Sequence, residues 1–87
     1  MPIYRVHSYD DEHYATLVIQ AEAPEQAGSI AVQFVAMMHL GYFPADHVRE
    51  FPEVVRVEQA ASYFDAAEAF LPVVESIDEV DEVDLAD

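Results

Sequence analysis

The stretch that decides the fold is IYRVHSYDDEHYATLVIQA, residues 3–21. Two runs in which apolar and polar residues largely alternate, 3–8 and 13–21, flank the polar segment 9–12, which is the pattern of a β-hairpin. A turn centred on Asp10 and Asp11 would place the apolar side chains on one face and most polar ones on the other. The apolar face consists of Tyr4, Val6, Ala15, Leu17 and Ile19, and the opposite face of Arg5, His7, Tyr14, Thr16 and Gln20. The sequence therefore predicts a hairpin with one buried face.

A helix is predicted to follow the hairpin, from Pro24 to about Leu40. Pro24 suits the first helical position, Glu25 complements the helix dipole, and Gly41 is a natural left-handed stop. One apolar stripe at helical spacing contains Ala27, Ile30, Ala31, Phe34 and Met38. Four further apolar residues lie off that stripe: Val32, Val35, Ala36 and Met37. We therefore expect a second side of this helix to be covered, and these four residues to form a homodimer interface.

The rest of the domain adds one strand and one helix to the prediction. Residues 41–53 contain two prolines and predict a connection, and the β-branched run at residues 54–60 predicts a third strand. A capping box at residues 65–68 predicts the start of a second helix, which Pro72 should end. The order β-β-α-β-α predicts an α+β domain over residues 1–72, with a small three-stranded antiparallel sheet and two helices packed on one face.

Residues 73–87 are predicted to form an acidic tail. From residue 75 the chain reads ESIDEVDEVDLAD, which holds seven acids and no base. Ile77, Val80 and Val83 recur every third residue, so a helix would align them along one stripe. The pattern leaves open a solvated tail, a segment that orders on the chain's own core, and a segment that orders against a basic partner.

The charge of the chain restricts its partners. Eighteen acidic residues face three arginines and no lysine, for a net charge of −15 in 87 residues. Direct nucleic-acid binding needs many cationic contacts with phosphate, which three arginines do not supply. The N-terminus lacks the basic and apolar regions of a signal peptide, and the longest apolar-rich run, residues 27–40, is shorter than the roughly 20 residues of a membrane span. We expect a cytoplasmic protein.

No pattern in the sequence indicates catalysis or a cofactor. The chain has no cysteine and no lysine, and its two glycines form no phosphate-binding loop. None of the serines lies in a nucleophile elbow; they are Ser8, Ser29, Ser62 and Ser76. Paired carboxylates are too common here for any pair to be specific. We expect a protein that is not an enzyme and that needs no cofactor.

Metal binding is not predicted either. His7 and His13 flank the acidic hairpin turn, but the predicted register directs them to opposite faces, and no familiar ligand spacing is present. His39 and His47 bracket the end of the predicted helix, where a histidine interacts favourably with the helix dipole. The histidines are therefore predicted to be structural.

Taken together, these features resemble a group of small acidic phage-type inhibitors, the DNA-mimicking and anti-CRISPR proteins. The resemblance rests on the short length, the charge of −15, the absence of cysteine and the β-β-α order. It covers the whole chain, but the group shares no motif, so it assigns no role to any residue. It implies stoichiometric binding to a cytoplasmic partner such as a CRISPR effector subunit.

Acidic mimicry is the function we therefore expect, in which carboxylates occupy a basic nucleic-acid-binding surface. Duplex DNA presents one phosphate per ~3.4 Å of each strand, and carboxylates on one helix face lie ~5–6 Å apart. The predicted partner-binding residues are Asp10, Asp11, Glu12, Glu75, Asp78, Glu79, Asp81, Glu82 and Asp84. Two alternatives remain open, a homodimeric interaction or accessory module of the antitoxin type, and a domain whose acidity reflects a saline cytoplasm.

Overall fold

The computed structural model describes residues 1–10, 13–41, 47–62 and 72–80. The elements are the strands β1 (Ile3–Tyr9) and β2 (His13–Gln20), the helix α1 (Pro24–His39), a 3-10 turn (Val48–Glu50), and the strands β3 (Val54–Ser62) and β4 (Val73–Val80). The strands form one antiparallel sheet in the order β3-β2-β1-β4, and α1 packs against one of its faces.

The predicted three-stranded sheet with two helices is wrong. Across the described residues the sheet has four strands and one α-helix covers it, although the chain remains a small α+β domain. The fourth strand is β4, which comes from the segment predicted as the start of the acidic tail and pairs with β1. The predicted second helix, around residues 65–71, lies outside the described residues.

A β-bulge interrupts the alternation of faces in β4. The pairing of β4 with β1 shifts between His7 and Ser8, which leaves Glu75 without a residue opposite it. An extra residue reverses the alternation of faces, so Val74 and Ile77, three residues apart, both pack against the core. The spacing of three from Ile77 to Val80, which suggested a helix, has a different outcome: these residues pair with Val6 and Ile3 and therefore lie on opposite faces of the strand.

The predicted hairpin is confirmed, with the predicted faces. Tyr4 pairs with Ile19 and Val6 with Leu17, and these four side chains belong to the buried core under α1. The turn closes through a hydrogen bond of 2.8 Å from the backbone N–H of Asp10 to the carbonyl of His13. The core face of the hairpin and the apolar stripe of α1 bury one another, which is the main packing of the domain.

The predicted helix is also confirmed, and the segment that precedes β3 covers part of its apolar stripe. α1 ends at His39, and Gly41 follows with a left-handed φ of +100°. The ring of Phe34 packs against His47 at 4.4 Å and Phe51 at 5.5 Å between ring centroids, in the segment that precedes β3. The described part of the chain has no helix with the length and apolar character that a membrane crossing needs.

The four residues predicted to form a dimer interface have different environments. Val35 is fully buried within its own chain, so it is not available to a second copy. Val32, Ala36 and Met37 are half-buried, and Met37 packs against the core cluster. The homodimer stays a prediction, and its interface would consist of fewer apolar residues than expected.

Both outer strands of the described sheet are irregular. The pairing of β3 with β2 shifts twice, which leaves Glu58 and Val55 without residues opposite them. Val55 is about half exposed on this edge, at 51%. With the bulge at Glu75 in β4, each edge therefore contains at least one interruption of its ladder.

Gly28 allows α1 to approach β4 closely. A Cβ atom at this position would lie 3.2 Å from Ile77 Cδ1 and 3.3 Å from Val74 Cγ2, which is tighter than ordinary contact. The glycine therefore lets two apolar side chains of β4 reach the helix surface. Any larger side chain at position 28 has to displace them.

We predict that Gly28→Val lowers the free energy of unfolding by about 1–3 kcal/mol through overpacking against β4. The matched control is Ser29→Val, which places the same side chain at an exposed position of the same helix and should change stability by about 0.5 kcal/mol or less. Urea denaturation of both variants measures the difference. Equal stabilities would contradict the packing of β4 against α1.

Candidate functional site

The antiparallel topology gives the sheet two distinct ends. At one end lie the hairpin turn, the last residue of β3 and Val73, the first residue of β4. At the other end, β1 and β3 begin while β2 and β4 finish, and α1 starts there as well. Seven residue steps of about 3.3 Å separate the ends of a paired strand, or roughly 23 Å.

Among the described residues, five carboxylates collect at the second end, and we call this group the acidic end. It consists of Glu22, Glu25, Glu53, Asp78 and Glu79. The strand pairing brings them there from three separate parts of the sequence. The N–H of Gln20, the last residue of β2, donates to the carbonyl of Glu53 at 2.8 Å, and Glu79 lies opposite Tyr4 in β1. Four of the five residues are exposed, and Glu53 is half-buried.

Burial and the negative charges at the acidic end both affect the phenol of Tyr4. Burial raises its pKa above the ordinary value of 10.0, and the negative charges of Glu79 and Glu25 raise it further. Both carboxylates therefore act on the same hydroxyl group, although one belongs to β4 and the other to the first turn of α1.

The acids of β4 are not neutralised by neighbouring bases. Glu75, Asp78 and Glu79 are exposed, and within the described ranges none of them has a basic group at ion-pair distance. Asp78 lies opposite Arg5, but the Arg5 guanidinium donates to Glu58 of β3. The negative charge along β4 is therefore presented to solvent.

Two of the three arginines lie on the face of the sheet that α1 does not cover. Arg5 donates to Glu58, and Arg56 Nη2 lies 3.8 Å from Glu58 Oε2. Between Arg5 and Arg56, its neighbours on the adjacent strands, Val18 is fully buried. Long arginine side chains can cover apolar surface with their stems while the head group stays paired. We infer that this arginine–glutamate cluster closes the face over Val18.

A second group of ionisable side chains lies at the hairpin end. Asp10 is buried, at 1% exposure, and His13 Nδ1 lies 3.4 Å from its Oδ1 atom. His39, the last residue of α1, places its Nδ1 atom 3.4 Å from Asp10 Oδ2. The two imidazole rings meet edge to face, with 5.7 Å between their centroids and an interplanar angle of 83°. We call these three residues the Asp10–His13–His39 cluster.

The predicted binding residues are divided between these regions and the undescribed segments. Asp10 is buried, and its carboxylate faces the two histidines. Glu75 lies towards the hairpin end of β4, whereas Asp78 and Glu79 belong to the acidic end. The remaining predicted residues lie outside the described residues: Asp11, Glu12, Asp81, Glu82 and Asp84.

Neither grouping follows from a local pattern in the sequence. Glu22, Glu25 and Glu53 join Asp78 and Glu79 only through the strand order, which the sequence does not state. The approach of His39 to the start of β2 can be predicted from the lengths of the two elements, because α1 has 16 residues and β2 has eight. At about 1.5 Å and 3.3 Å per residue these elements have nearly equal lengths, so an antiparallel helix ends beside the start of β2.

Comparison with protein-family models, with curated proteins and with solved structures finds no match for this chain. No function is therefore carried over from a relative.

The arginine–glutamate cluster predicts a pH dependence of stability. The hydrogen bond from Arg5 lowers the pKa of Glu58 below its ordinary value of 4.5, with partial opposition from burial. A lowered pKa in the folded state contributes stability that is present above about pH 4.5 and is lost as the pH falls through the folded-state pKa. We expect the stability difference between the parent chain and Glu58→Gln to shrink over this range, in urea unfolding from about pH 6 to about pH 3.

The control is Glu22→Gln, which removes one exposed carboxylate that has no ion pair within the described residues. Its stability difference from the parent should vary less with pH than that of Glu58→Gln. The same pH profile for both variants would show that the contact with Arg5 does not stabilise the fold.

Proposed function

We propose that this protein is a non-enzymatic inhibitor that binds a basic nucleic-acid-binding surface of another protein. The contact surface is the acidic end together with residues 81–87, and the partner is a nucleic-acid-handling complex such as a CRISPR effector subunit. Binding is stoichiometric and needs no cofactor. The observation that carries the proposal is the collection of five carboxylates at one end of the sheet.

The distribution of charge supports an interaction role for this end. The chain continues from Val80, the last residue of β4, into residues 81–87, which hold four more acids. Two of the three arginines are occupied by Glu58, so they do not offset this charge. An uncompensated field of one sign accelerates association with a surface of the opposite sign.

The dimensions of the acidic end suit a phosphate-binding surface. The four strands span three gaps of about 4.8 Å, so the end is roughly 14 Å wide between β3 and β4. One DNA strand presents about four phosphates over that axial distance, at ~3.4 Å each. Five carboxylates across this width supply a similar number of negative charges. A groove that binds a short run of phosphates therefore suits the acidic end in both charge and width.

Neutralising the acidic end should weaken such binding. We expect Asp78→Asn/Glu79→Gln to reduce affinity for the basic partner about 2- to 30-fold, because exposed ion pairs contribute roughly 0.2–1 kcal/mol each. The measurement is displacement of labelled duplex DNA from a panel of purified nucleic-acid-handling complexes, including CRISPR effectors, followed by fluorescence anisotropy. Affinity should fall as salt rises, and less steeply for the variant.

The matched control is Glu50→Gln/Glu75→Gln, which neutralises two exposed carboxylates outside the acidic end, one of them on β4 itself. It should retain more affinity than the acidic-end variant. Polyglutamate of equal charge tests whether a folded surface is needed. Failure to displace DNA from any complex, or displacement that does not depend on salt, would contradict the proposal.

The two alternatives make different predictions in solution. A homodimeric accessory module would show twice the monomer mass by light scattering, and substitutions at Val32 and Ala36 would return it to a monomer. A domain adapted to a saline cytoplasm would gain most of its stability only at molar salt, because screening relieves its self-repulsion. In that case the Asp78→Asn/Glu79→Gln variant would be more stable than the parent chain at low salt, and the substitution would not change binding to any nucleic-acid-handling complex.

A further inference from the structure

The Asp10–His13–His39 cluster joins three parts of the fold at the end opposite the acidic end. Asp10 closes the hairpin, His13 begins β2 and His39 ends α1. Each residue offers one ligand atom, and the three atoms lie within 4.8 Å of one another. Among the described residues this is the one group of three metal-ligating side chains with such a spacing.

The carboxylate of Asp10 is fixed in position by the backbone. Its Oδ1 atom accepts the N–H of His13 at 2.6 Å, and its own N–H donates to the His13 carbonyl at 2.8 Å. The side chain is 2% exposed, so the carboxylate is held in a largely dry environment. A buried carboxylate is costly unless cationic or hydrogen-bonding groups surround it. Its Oδ2 atom points towards His39.

The Nδ1 atom of His13 is the second feature that indicates a ligand site. This atom is fully buried, and within the described part of the chain it makes no hydrogen bond. The distance of 3.4 Å to Asp10 Oδ1 is longer than the usual 2.7–3.2 Å of an N–H···O hydrogen bond. A buried imidazole nitrogen without a hydrogen bond is uncommon and calls for an explanation.

The spacing of the ligand atoms suits a tetrahedral metal ion. Zinc binds imidazole nitrogen at about 2.0–2.1 Å and carboxylate oxygen at about 2.0–2.2 Å. Two such ligands at the tetrahedral angle lie about 3.4 Å from each other. Each histidine Nδ1 atom lies at this distance, 3.4 Å, from a different oxygen of Asp10, Oδ1 for His13 and Oδ2 for His39. With one ligand atom taken from each residue, all the separations are within 4.8 Å, so one bound ion would draw the three side chains closer together.

We propose that Asp10, His13 and His39 bind one divalent transition-metal ion of the zinc class. Two imidazoles and one carboxylate favour zinc, cobalt or nickel over magnesium and calcium, which prefer all-oxygen sites. Three protein ligands leave a fourth position, which water or a small ligand would fill. This proposal does not depend on the proposed function.

The ion would link the hairpin to the last residue of α1. It would place positive charge at the C-terminal end of α1, where the helix dipole is negative, and beside the buried carboxylate of Asp10. A domain of this size has a small core and gains proportionately from such a link. Binding to the folded state alone would then stabilise the fold by mass action.

The test is calorimetric titration of the full chain, first treated with a chelator, with zinc chloride and separately with magnesium chloride. We expect one zinc per chain and much weaker magnesium binding. At free zinc about 100 times the dissociation constant, the equilibrium constant for unfolding should fall about 100-fold. Cobalt bound in place of zinc should give the visible absorption of a four-coordinate ion.

Three variants distinguish this site from the many surface carboxylates. His39→Gln removes an exposed ligand, and Asp10→Asn removes the charge but keeps an oxygen for the His13 N–H, so both should fold. Each should weaken zinc binding by more than the roughly 10- to 100-fold that loss of an outer-shell contact costs. His7→Gln, on the opposite face of the hairpin, should bind zinc as the parent does.

The proposal is overturned if the parent chain binds no zinc, since the cluster is then a histidine–carboxylate interaction only. It is equally overturned if His39→Gln and the parent bind zinc with the same affinity, or if magnesium binds as tightly as zinc. Either of those results assigns the bound ion to exposed carboxylates elsewhere on the chain.

Discussion

The pairing of β1 on both of its edges is the constraint on which the rest of this structure depends. β1 lies between β2 and β4, and its Val6 is fully buried between Leu17 and Ile77 in the register of the two ladders. The hairpin alone would leave one edge of β1 open, and β4 closes it. α1 then lies across β1, β2 and β4 and covers their common apolar face. Both candidate sites are consequences of this arrangement, one at each end of the strands.

Local patterns in the sequence predict the first half of the fold well. Alternation in residues 3–21 is sufficient for the hairpin and its faces, and the helix follows from its apolar stripe between Pro24 and Gly41. The same reasoning fails at β4, because Ile77 and Val80, whose spacing suggested a helical stripe, lie on opposite faces of a strand, and the bulge at Glu75 interrupts the alternation before them. The acid-rich composition also favoured the prediction of a tail, because no local pattern specifies the strand with which this segment pairs.

The candidate sites are harder to predict because they join residues that are distant in the sequence. The acidic end needs the strand order, and the Asp10–His13–His39 cluster needs the direction and length of α1. His13 was correctly placed on the face opposite His7, and that face is the one on which α1 ends. The lengths of α1 and β2 are what place the last residue of the helix beside His13. Net charge alone predicts an excess of surface acids but not where they collect.

The interrupted edges of the sheet determine how another molecule can approach it. An uninterrupted edge strand invites a further strand from a second chain, by way of its free backbone groups. Here the bulges at Glu58, Val55 and Glu75 break the repeat that such an added strand would need to follow. Self-association into extended sheets is therefore disfavoured by shape as well as by charge. Under the proposed function, a partner would therefore recognise the exposed acidic side chains and not a free strand edge.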